Sequence, residues 1–330
     1  MIGMGEGKIN RHHEWTIRRL IGAHSGVFMV YIIVAVTFIV GGLIDREVFL
    51  FANVITILHH MTGLGLISVG QTFCILAGTF YLSVGSVISL TSLTFAGTIM
   101  GRSEMILIAF AFTFAVGVCV GLINGVLIAK ARINPFITTL ATMLIAQGVA
   151  FLYHSGPYGK ITPEVKWIGY GTIGFLPVPI LIFITVFIIC LVVLTKTRFG
   201  LHVYALGGGV EPARLSGVKI NLIRVSTHVI CSVLASGAGV YFAARMGTGD
   251  PYCGVGYQLE SIAAVCIAGT SLYGGRGSLW GTLGGVLLLA MISNTFNHLN
   301  LPTMSQLILR GIIIIVAVAV YTVRSKDFGK

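Results

Sequence analysis

Charged side chains are scarce in this chain: aspartate, glutamate, lysine and arginine make up only 9% of its 330 residues. A soluble domain carries about a quarter of its residues as charges, so the shortage points away from a soluble protein. Apolar residues make up 56% of the chain, and the mean hydropathy is +0.96. Long apolar runs without strand alternation predict an all-α, polytopic membrane bundle, because backbone groups in lipid must pair within their own segment.

Other features that signal particular chemistry or targeting are also missing. The six cysteines form no C-x-x-C pair, and five of them lie in apolar runs as small hydrophobes. The pairs His12-His13 and His59-His60 lack a third ligand at a fitting spacing, so no metal site is predicted. The first 20 residues hold no apolar core, so no signal peptide is predicted and the first span is expected to remain as an anchor.

Ten apolar segments are candidate membrane spans. They cover residues 26–44, 53–77, 82–99, 105–129, 135–153, 177–195, 225–244, 259–273, 279–296 and 304–323. The segments 82–99 and 259–273 are short or follow glycine-rich breaks, so they could be broken or re-entrant. A cytoplasmic N-terminus places 15 of the 21 basic residues on the cytoplasmic side and 5 outside, with Arg310 inside the last span. This distribution predicts that both termini are cytoplasmic, and it accounts for most of the net charge of +11 without a nucleic-acid partner.

Two triplets of glycines recur at a spacing of four residues. They are Gly117, Gly121 and Gly125, and then Gly277, Gly281 and Gly285. Small residues at this spacing let two helix backbones approach closely in lipid. We therefore interpret both triplets as packing positions and not as sites.

A compact polar stretch, GGGVEPARLSGV at 207–218, interrupts the apolar chain within a predicted cytoplasmic loop, 196–224. Glu211 and Pro212 suit the first turn of a helix, and Gly217 suits its end. A helix of one to two turns is marginal alone in water, so it must pack on something. From the residues alone, it is either a membrane-surface connector held by its basic flanks or an element that presses into a cytoplasmic partner.

Several longer pieces of sequence resemble one family. They are LSVGS (82–86), GLINGVLIAK (121–130), PFITTLATM (135–143), TRFGLHVYALGG (197–208), ARLSGV (213–218), GYQLESIAAVCIAGTSLYGGRGS (256–278) and GT (281–282). In this order, over about residues 53–323, they resemble the transmembrane permease subunit of ATP-binding-cassette (ABC) importers for simple sugars, the ribose-permease family. Residues 26–323 would then form one permease domain with an external loop at 154–176, and residues 1–25 and 324–330 would be cytoplasmic.

The resemblance implies a passive subunit in a prokaryotic inner membrane that passes a small polar solute inward by alternating access. The solute would be a monosaccharide or a related polyol. The implied partners are an ABC ATPase, an extracytoplasmic solute-binding protein, a second permease copy or homologue, and the lipid bilayer. The chain itself would be no enzyme and would need no cofactor, since ATP and Mg²⁺ would be bound by the ATPase.

The resemblance also implies where the ATPase binds. The expected contact residues are Glu211, Pro212, Ala213, Arg214, Leu215, Ser216 and Gly217. The nearest phosphate-binding pattern in the chain is GTSLYGGR at 269–276, where Arg276 stands in place of the lysine that a nucleotide-binding loop needs. We therefore expect this stretch to be a tight turn between two spans and not a nucleotide site.

Polar residues within the predicted spans are candidates for the translocation path. They are Gln71, Tyr81, Ser83, Asn124, Glu260 and Asn294. The stretches 76–87 and 253–263 each break an apolar run just before a short helix, where unwound backbone can coordinate a substrate. The family usually has an acid at the position of Tyr81, which offers a ring face and one hydroxyl instead. Interhelical hydrogen bonding is the alternative role for the amide side chains.

Glu260 and Arg310 are the charges predicted inside the membrane. An ion pair between them, or snorkelling of each to the external surface, is favoured over contact with substrate. Two other functions stay open, an ion-gradient-driven carrier or channel and an ABC permease for branched-chain amino acids. Two intramembrane charges are few for a proton relay, and the ARLSGV and YQLESIAAV pieces resemble the sugar branch more closely.

Overall fold

The computed structural model describes residues 27–43, 45–267 and 269–299, and then 301–302, 305–306, 308–309, 311–312 and 315. Nearly all regular structure in these ranges is helical, which confirms the predicted all-α class. The segments 1–25 and 324–330, and much of the predicted span 304–323, lie outside the described residues. The cytoplasmic position of both termini therefore stays a prediction.

The helices occur in a simple order along the chain. They are α1 Val27–Leu43, α2 Phe51–Leu76, α3 Val84–Ile99, α4 Ile106–Ala129, α5 Pro135–Tyr153, α6 Pro163–Tyr170, α7 Val178–Lys196, α8 Arg198–Gly208, α9 Val210–Leu215, α10 Ile220–Met246, α11 Tyr257–Ile267 and α12 Leu279–His298. Single 3-10 turns, Arg46–Phe49 and Ser103–Met105, precede α2 and α4. A short antiparallel hairpin, β1 Thr172–Ile173 and β2 Leu176–Pro177, lies between α6 and α7.

Within the described residues, six helices are long and apolar enough to cross a membrane: α2, α4 with its preceding 3-10 turn, α5, α7, α10 and α12. Helices α1, α3 and α11 are apolar but shorter. The predicted segment 259–273 is wrong at its end, because α11 stops at Ile267 and residues 269–278 are irregular. Gly269, Gly274 and Gly275 in that stretch adopt positive φ angles, which a helix does not contain. The total of ten spans stays a prediction.

The first glycine triplet packs α4 directly against α10. A methyl group on Gly121 would lie 2.8 Å from Cα of Val229, and one on Gly125 would lie 2.7 Å from Cα of Val225. Both distances are shorter than carbon atoms tolerate, so only glycine permits this approach of the two backbones. The packing interpretation is therefore confirmed for this triplet.

The three glycines of the second triplet have different surroundings, and not all of them lie in a helix contact. A methyl group on Gly285 in α12 would overlap the carbonyl of Ala264 in α11, so this position is a helix contact. Gly281 is buried in the first turn of α12. Gly277 precedes the helix and packs on the Thr270 side chain, so its interpretation as a helix–helix position is wrong. The reason is that α12 starts only at Leu279.

Two irregular segments lie within the bundle. The first, 77–83, joins α2 to α3, and Tyr81 and Ser83 within it have no exposed surface. The second, 247–256, runs alongside α3, with Gly249 against the backbone of Leu93 and Gly254 against that of Gly85. The predicted breaks before two short helices are thus confirmed, and the second break places the start of α11 beside the start of α3.

Hydroxyl side chains of α3 pair with the backbone of the second break. Ser89 Oγ accepts a hydrogen bond from the amide of Gly254 at 3.1 Å, and Ser92 Oγ accepts one from the amide of Asp250 at 3.3 Å. In the first break, the amide of Thr79 donates to the carbonyl of Cys74 at 2.9 Å. Ser89 and Ser92 of α3 thus supply partners for backbone groups that would be costly to leave unpaired at membrane depth.

The two ends of the bundle differ in character. We call the end that carries Lys130, Arg132, Lys196 and Arg198, together with α8 and α9, the basic end. The opposite end carries α6 and the hairpin, where Tyr158 and Gly249 exchange backbone hydrogen bonds of 2.8 and 2.9 Å.

The α4–α10 contact predicts a difference between two glycine substitutions. Gly121→Ala should lower the free energy of unfolding by about 1–3 kcal/mol, because the added methyl overpacks the contact. Gly237→Ala on α10 is the matched control, since a methyl group there meets nothing within 4 Å and alanine favours the helix. Thermal unfolding of the detergent-purified protein measures both. Equal melting temperatures for the two variants would contradict the packing role of Gly121.

Candidate functional site

The polar stretch at 207–218 forms the end of one helix and the whole of another. Helix α8 begins at a side-chain cap, in which Thr197 Oγ1 accepts a hydrogen bond from the amide of Gly200 at 3.3 Å. Helix α9 has Glu211 in its first turn and stops before Gly217, whose φ angle is +79°. The predicted short helix is therefore confirmed. Helix α8 was not predicted, because its three glycines obscured the helical pattern. Thr197, which caps its start, was the signal in the sequence that could have revealed it.

Helix α9 has a supported face and an open face. Ala213 is 3% exposed, and its carbonyl accepts a hydrogen bond from the amide of Val218 at 3.0 Å. Leu215 is 86% exposed. Glu211 and Arg214, one turn apart, form an exposed ion pair, and the hydrogen bond and charge of Arg214 lower the pKa of the Glu211 carboxyl. The open face thus presents a leucine beside an ion pair.

The two remaining predicted contact residues complete the end of the helix. Pro212 is the third residue of α9, and its carbonyl accepts hydrogen bonds from the amide of Ser216 at 3.1 Å and from the Ser216 hydroxyl at 2.9 Å. The surface is small and solvent-facing. Its carboxylate pairs with Arg214 and the Ser216 hydroxyl bonds to the backbone of Pro212, so the surface is suited to contact with another macromolecule.

Four of the predicted path residues come together in the interior. Asn124 Nδ2 donates to Ser83 Oγ at 3.0 Å, and Asn124 Oδ1 accepts from Thr142 Oγ1 at 2.7 Å. Tyr81 lies beside this group, and its ring meets that of His228 edge to face, with centroids 5.7 Å apart. These contacts join the first break to α4, α5 and α10.

Gln71 reaches the same region from α2. Its Oε1 lies 3.7 Å from Sγ of Cys231, the residue next to Ser232 on α10. Four buried polar atoms in this region have no hydrogen-bond partner among the described residues. They are Gln71 Nε2, Tyr81 Oη, His228 Nε2 and Ser232 Oγ. We call the group formed by Gln71, Tyr81, Ser83, Asn124, Thr142, His228 and Ser232 the interior polar cluster. Thr142, His228 and Ser232 were missed by sequence reasoning, because nothing in the patterns of α5 and α10 distinguishes them.

Asn294 lies apart from this cluster. The side chains of Asn294 and Asn53 exchange two hydrogen bonds, of 2.8 and 3.1 Å, between α12 and α2 at the opposite end. Glu260 lies half-buried in the first turn of α11. Arg310, its predicted ion-pair partner, lies outside the described residues, so that pairing stays a prediction.

A further polar group at the opposite end surrounds His298. Its Nδ1 lies 2.9 Å from Asp45 Oδ2, and its Nε2 lies 2.9 Å from Asn53 Oδ1. Asn53 Nδ2 donates to the carbonyl of Val48, so Asn53 Oδ1 must accept and the imidazole must donate to it. The group ties the start of α2 to the end of α12.

Asp45, Glu47 and His298 also have potential metal-ligand atoms within 4.8 Å of one another. The amide of Glu47 donates to Asp45, which lowers the pKa of that carboxyl, and His298 lowers it further. Sequence reasoning considered only the paired histidines and missed this group, because 253 positions separate Asp45 from His298. The direct contact between His298 and Asp45 is accounted for by a hydrogen bond of 2.9 Å without a metal ion.

The interior polar cluster predicts opposite effects for two substitutions. Asn124→Ala should lower the free energy of unfolding by about 1–3 kcal/mol, because it removes two buried hydrogen bonds, to Ser83 and to Thr142, and leaves the Ser83 hydroxyl without its partner. Tyr81→Phe should cost nothing or stabilise the fold, because the hydroxyl it removes is buried and unpaired. Melting temperatures of the purified variants would decide. A stable Asn124→Ala variant would contradict the assigned network.

Comparison with known proteins finds relatives that are permease components of transport systems. Residues 53–318 match the family model described as the branched-chain amino acid transport system permease component. The ribose import permease protein of Escherichia coli (strain K12) is 37% identical over 273 residues, which cover 81% of this chain and 85% of that protein. The corresponding ribose protein of Bacillus subtilis (strain 168) is 35% identical over 93% of this chain and 94% of its own.

A relative named for another sugar is similar to the same extent. The L-arabinose ABC transporter permease protein of Azospirillum brasilense is 34% identical over 295 residues, which cover 89% of this chain and 86% of that protein. No solved structure matches the chain.

Proposed function

The chain belongs to the family of transport-system permease components, and we propose that it is the membrane-spanning subunit of an ABC importer for a small sugar or related polyol. The observation that carries the proposal is the likeness to ribose and arabinose permeases along most of the chain. The solute would pass inward by alternating access, and the energy would come from a separate ATPase.

A sugar suits this chain better than a branched-chain amino acid, although the family description names the latter. The similar proteins reported above are named for ribose and arabinose. The interior polar cluster consists of hydroxyl, amide and imidazole groups. An amino acid would require partners for a carboxylate and an ammonium group, whereas a neutral polyol requires hydrogen bonds alone. Tyr81 replaces the acid usual in the family, so the bonding at that position would differ from that of its relatives.

The ATPase would bind the open face of α9. An exposed leucine beside an ion pair, on a helix supported through Ala213, is suited to insertion into a cleft of a partner. This surface would transmit force and perform no chemistry. ATP and Mg²⁺ would be held entirely by the partner, and this chain would need no cofactor.

The other partners would occupy the remaining surfaces. A second permease copy or homologue would complete the pathway within the inner membrane. A solute-binding protein would dock at the opposite end, where α6 and the hairpin expose Trp167, Tyr170 and Phe175. The proposal includes ten spans with both termini in the cytoplasm, as the basic residues predict.

The ATPase contact predicts loss of transport from one surface change. Leu215→Asp should reduce ATP-driven sugar uptake at least tenfold in proteoliposomes that contain the chain and its ATPase, because a charge would replace the apolar contact. Ile133→Asp is the matched control, since Ile133 is an exposed apolar residue of the α4–α5 loop at the same end. Equal uptake by both variants would contradict docking at α9. Uptake without ATPase, abolished by an ionophore, would instead support an ion-gradient carrier.

Exchanging the charges of Glu211 and Arg214 distinguishes a contact of Arg214 with the ATPase from a role of the ion pair in stabilising α9. Arg214→Glu should impair uptake, and the double variant Glu211→Arg, Arg214→Glu keeps the ion pair within the helix while reversing its direction. If Arg214 contacts the ATPase, the double variant should stay impaired. Full recovery would mean that the pair only stabilises α9, and ATPase-coupled uptake is the measurement for both variants.

The proposed orientation is testable by labelling in whole cells. A cysteine introduced at Phe175, which is exposed at the hairpin, should react with a membrane-impermeant maleimide from outside. A cysteine at Leu215 should react only after the cells are permeabilised. The parent chain is the background control for its six cysteines. The reverse pattern would exclude both the orientation and a cytoplasmic ATPase contact.

A further inference from the structure

Three backbone segments meet at the basic end without side chains between them. They are the end of α2 with the start of the first break, the end of α8, and the turn that connects α11 to α12. We call the contact among Leu76–Gly78, Gly207 and Gly274–Gly275 the glycine junction. A methyl group on Gly207 would overlap both the carbonyl of Leu76 and the amide of Gly275.

Hydrogen bonds hold the same three segments together. The amide of Gly275 donates to the carbonyl of Leu76 at 3.0 Å. The hydroxyl of Tyr204 on α8 donates to the carbonyl of Gly277 at 2.9 Å. The amide of Ser271 donates to the carbonyl of Arg276 at 2.8 Å and closes the turn. The turn is therefore bonded to α2 on one side and to α8 on the other.

The backbone conformation at the junction also depends on glycine. Gly78, Gly274 and Gly275 have φ angles of +75°, +88° and +71°, which side chains rarely allow. A methyl group on Gly274 would lie 2.9 Å from both Cα of Gly207 and the amide nitrogen of Gly78. The junction is thus a contact of backbone on backbone, with no flexible side chain to absorb a displacement.

The junction lies between the proposed ATPase contact and the interior. On one side, Gly209 alone separates α8 from α9. On the other side, Gly78 leads directly into the first break with Tyr81, and the turn leads back into α11. The far end of α11 reaches Gly85 at the start of α3, where Gly254 and the Gln258 side chain pack. Both broken segments are therefore connected to the junction through continuous backbone.

We propose that the glycine junction transmits movement of α8 and α9 to the two broken segments, with Gly207 as the positioning residue. The inference rests on the proposed function, in which an ATPase moves α9. A displacement of α8 must shift the ends of α2 and α11 together, because close-packed backbones cannot yield independently. A side chain at Gly207 would separate these surfaces and weaken the transmission, while leaving the open face of α9 intact.

The test compares two neighbouring glycines of α8 in the complete transporter. Gly207→Ala should still bind the ATPase and hydrolyse ATP within about twofold of the parent, with at least a tenfold fall in sugar taken up per ATP hydrolysed. Gly208→Ala is the control, because a methyl group there meets nothing within 4 Å. It should keep the parent ratio. A purely structural role for Gly207 would reduce the amount of assembled transporter without changing this ratio.

An unchanged ratio in Gly207→Ala would overturn the proposal. If that variant does not assemble, Tyr204→Phe decides, since it removes the hydrogen bond to Gly277 without adding bulk. It should lower the ratio several-fold, and a parent-like ratio would likewise overturn the proposal. Failure of the proposed function has a different signature, because the parent transporter would then show no ATP-driven uptake at all.

Discussion

The structure depends on one constraint: two breaks in a membrane bundle must find partners for their backbone groups inside the protein. Water is absent from the hydrocarbon core, and an unpaired amide or carbonyl costs several kcal/mol there. The serines of α3 meet this requirement for the segment that descends beside them. The last turn of α2 meets it for the other segment, through Cys74 and its neighbours. Helix α3 is consequently an apolar helix whose serine hydroxyls pair with the neighbouring irregular segment.

Close packing of backbones follows from this arrangement. Glycines bring α4 against α10 and bring the connecting turn against α2 and α8. Helices in direct backbone contact cannot move independently, so a displacement of one element must be shared by the others. This property suits the proposed role, in which a separate ATPase moves the chain from outside. The proposed ATPase contact, the glycine junction and the breaks form one connected route from the basic end to the interior.

The polar residues of the spans form two groups, which differ in whether their hydrogen-bonding atoms have partners. Asn53, Asn294 and His298 use their hydrogen-bonding groups on one another at the opposite end. The interior polar cluster instead keeps several groups without partners, including the hydroxyl of Tyr81. Unpaired polar atoms are rare in a close-packed interior, and they occur where water or a ligand supplies the missing bonds in another state. This contrast supports the cluster, and not the asparagine pair, as the place where a polyol would pass.

The membrane class, most helix bounds, the short helix at 210–215 and the position of both breaks could be predicted from the sequence. Each of these depends on local signals, namely the length of apolar runs, glycine and proline at helix ends, and basic flanks. The tertiary structure alone decided that Gln71, Tyr81, Ser83 and Asn124 share one cluster with His228, and that Asp45 meets His298. It also decided that the turn at 271–277 lies against Gly207. These are contacts between residues distant in the chain, and they arise from the way helices pack, which neither composition nor periodicity encodes.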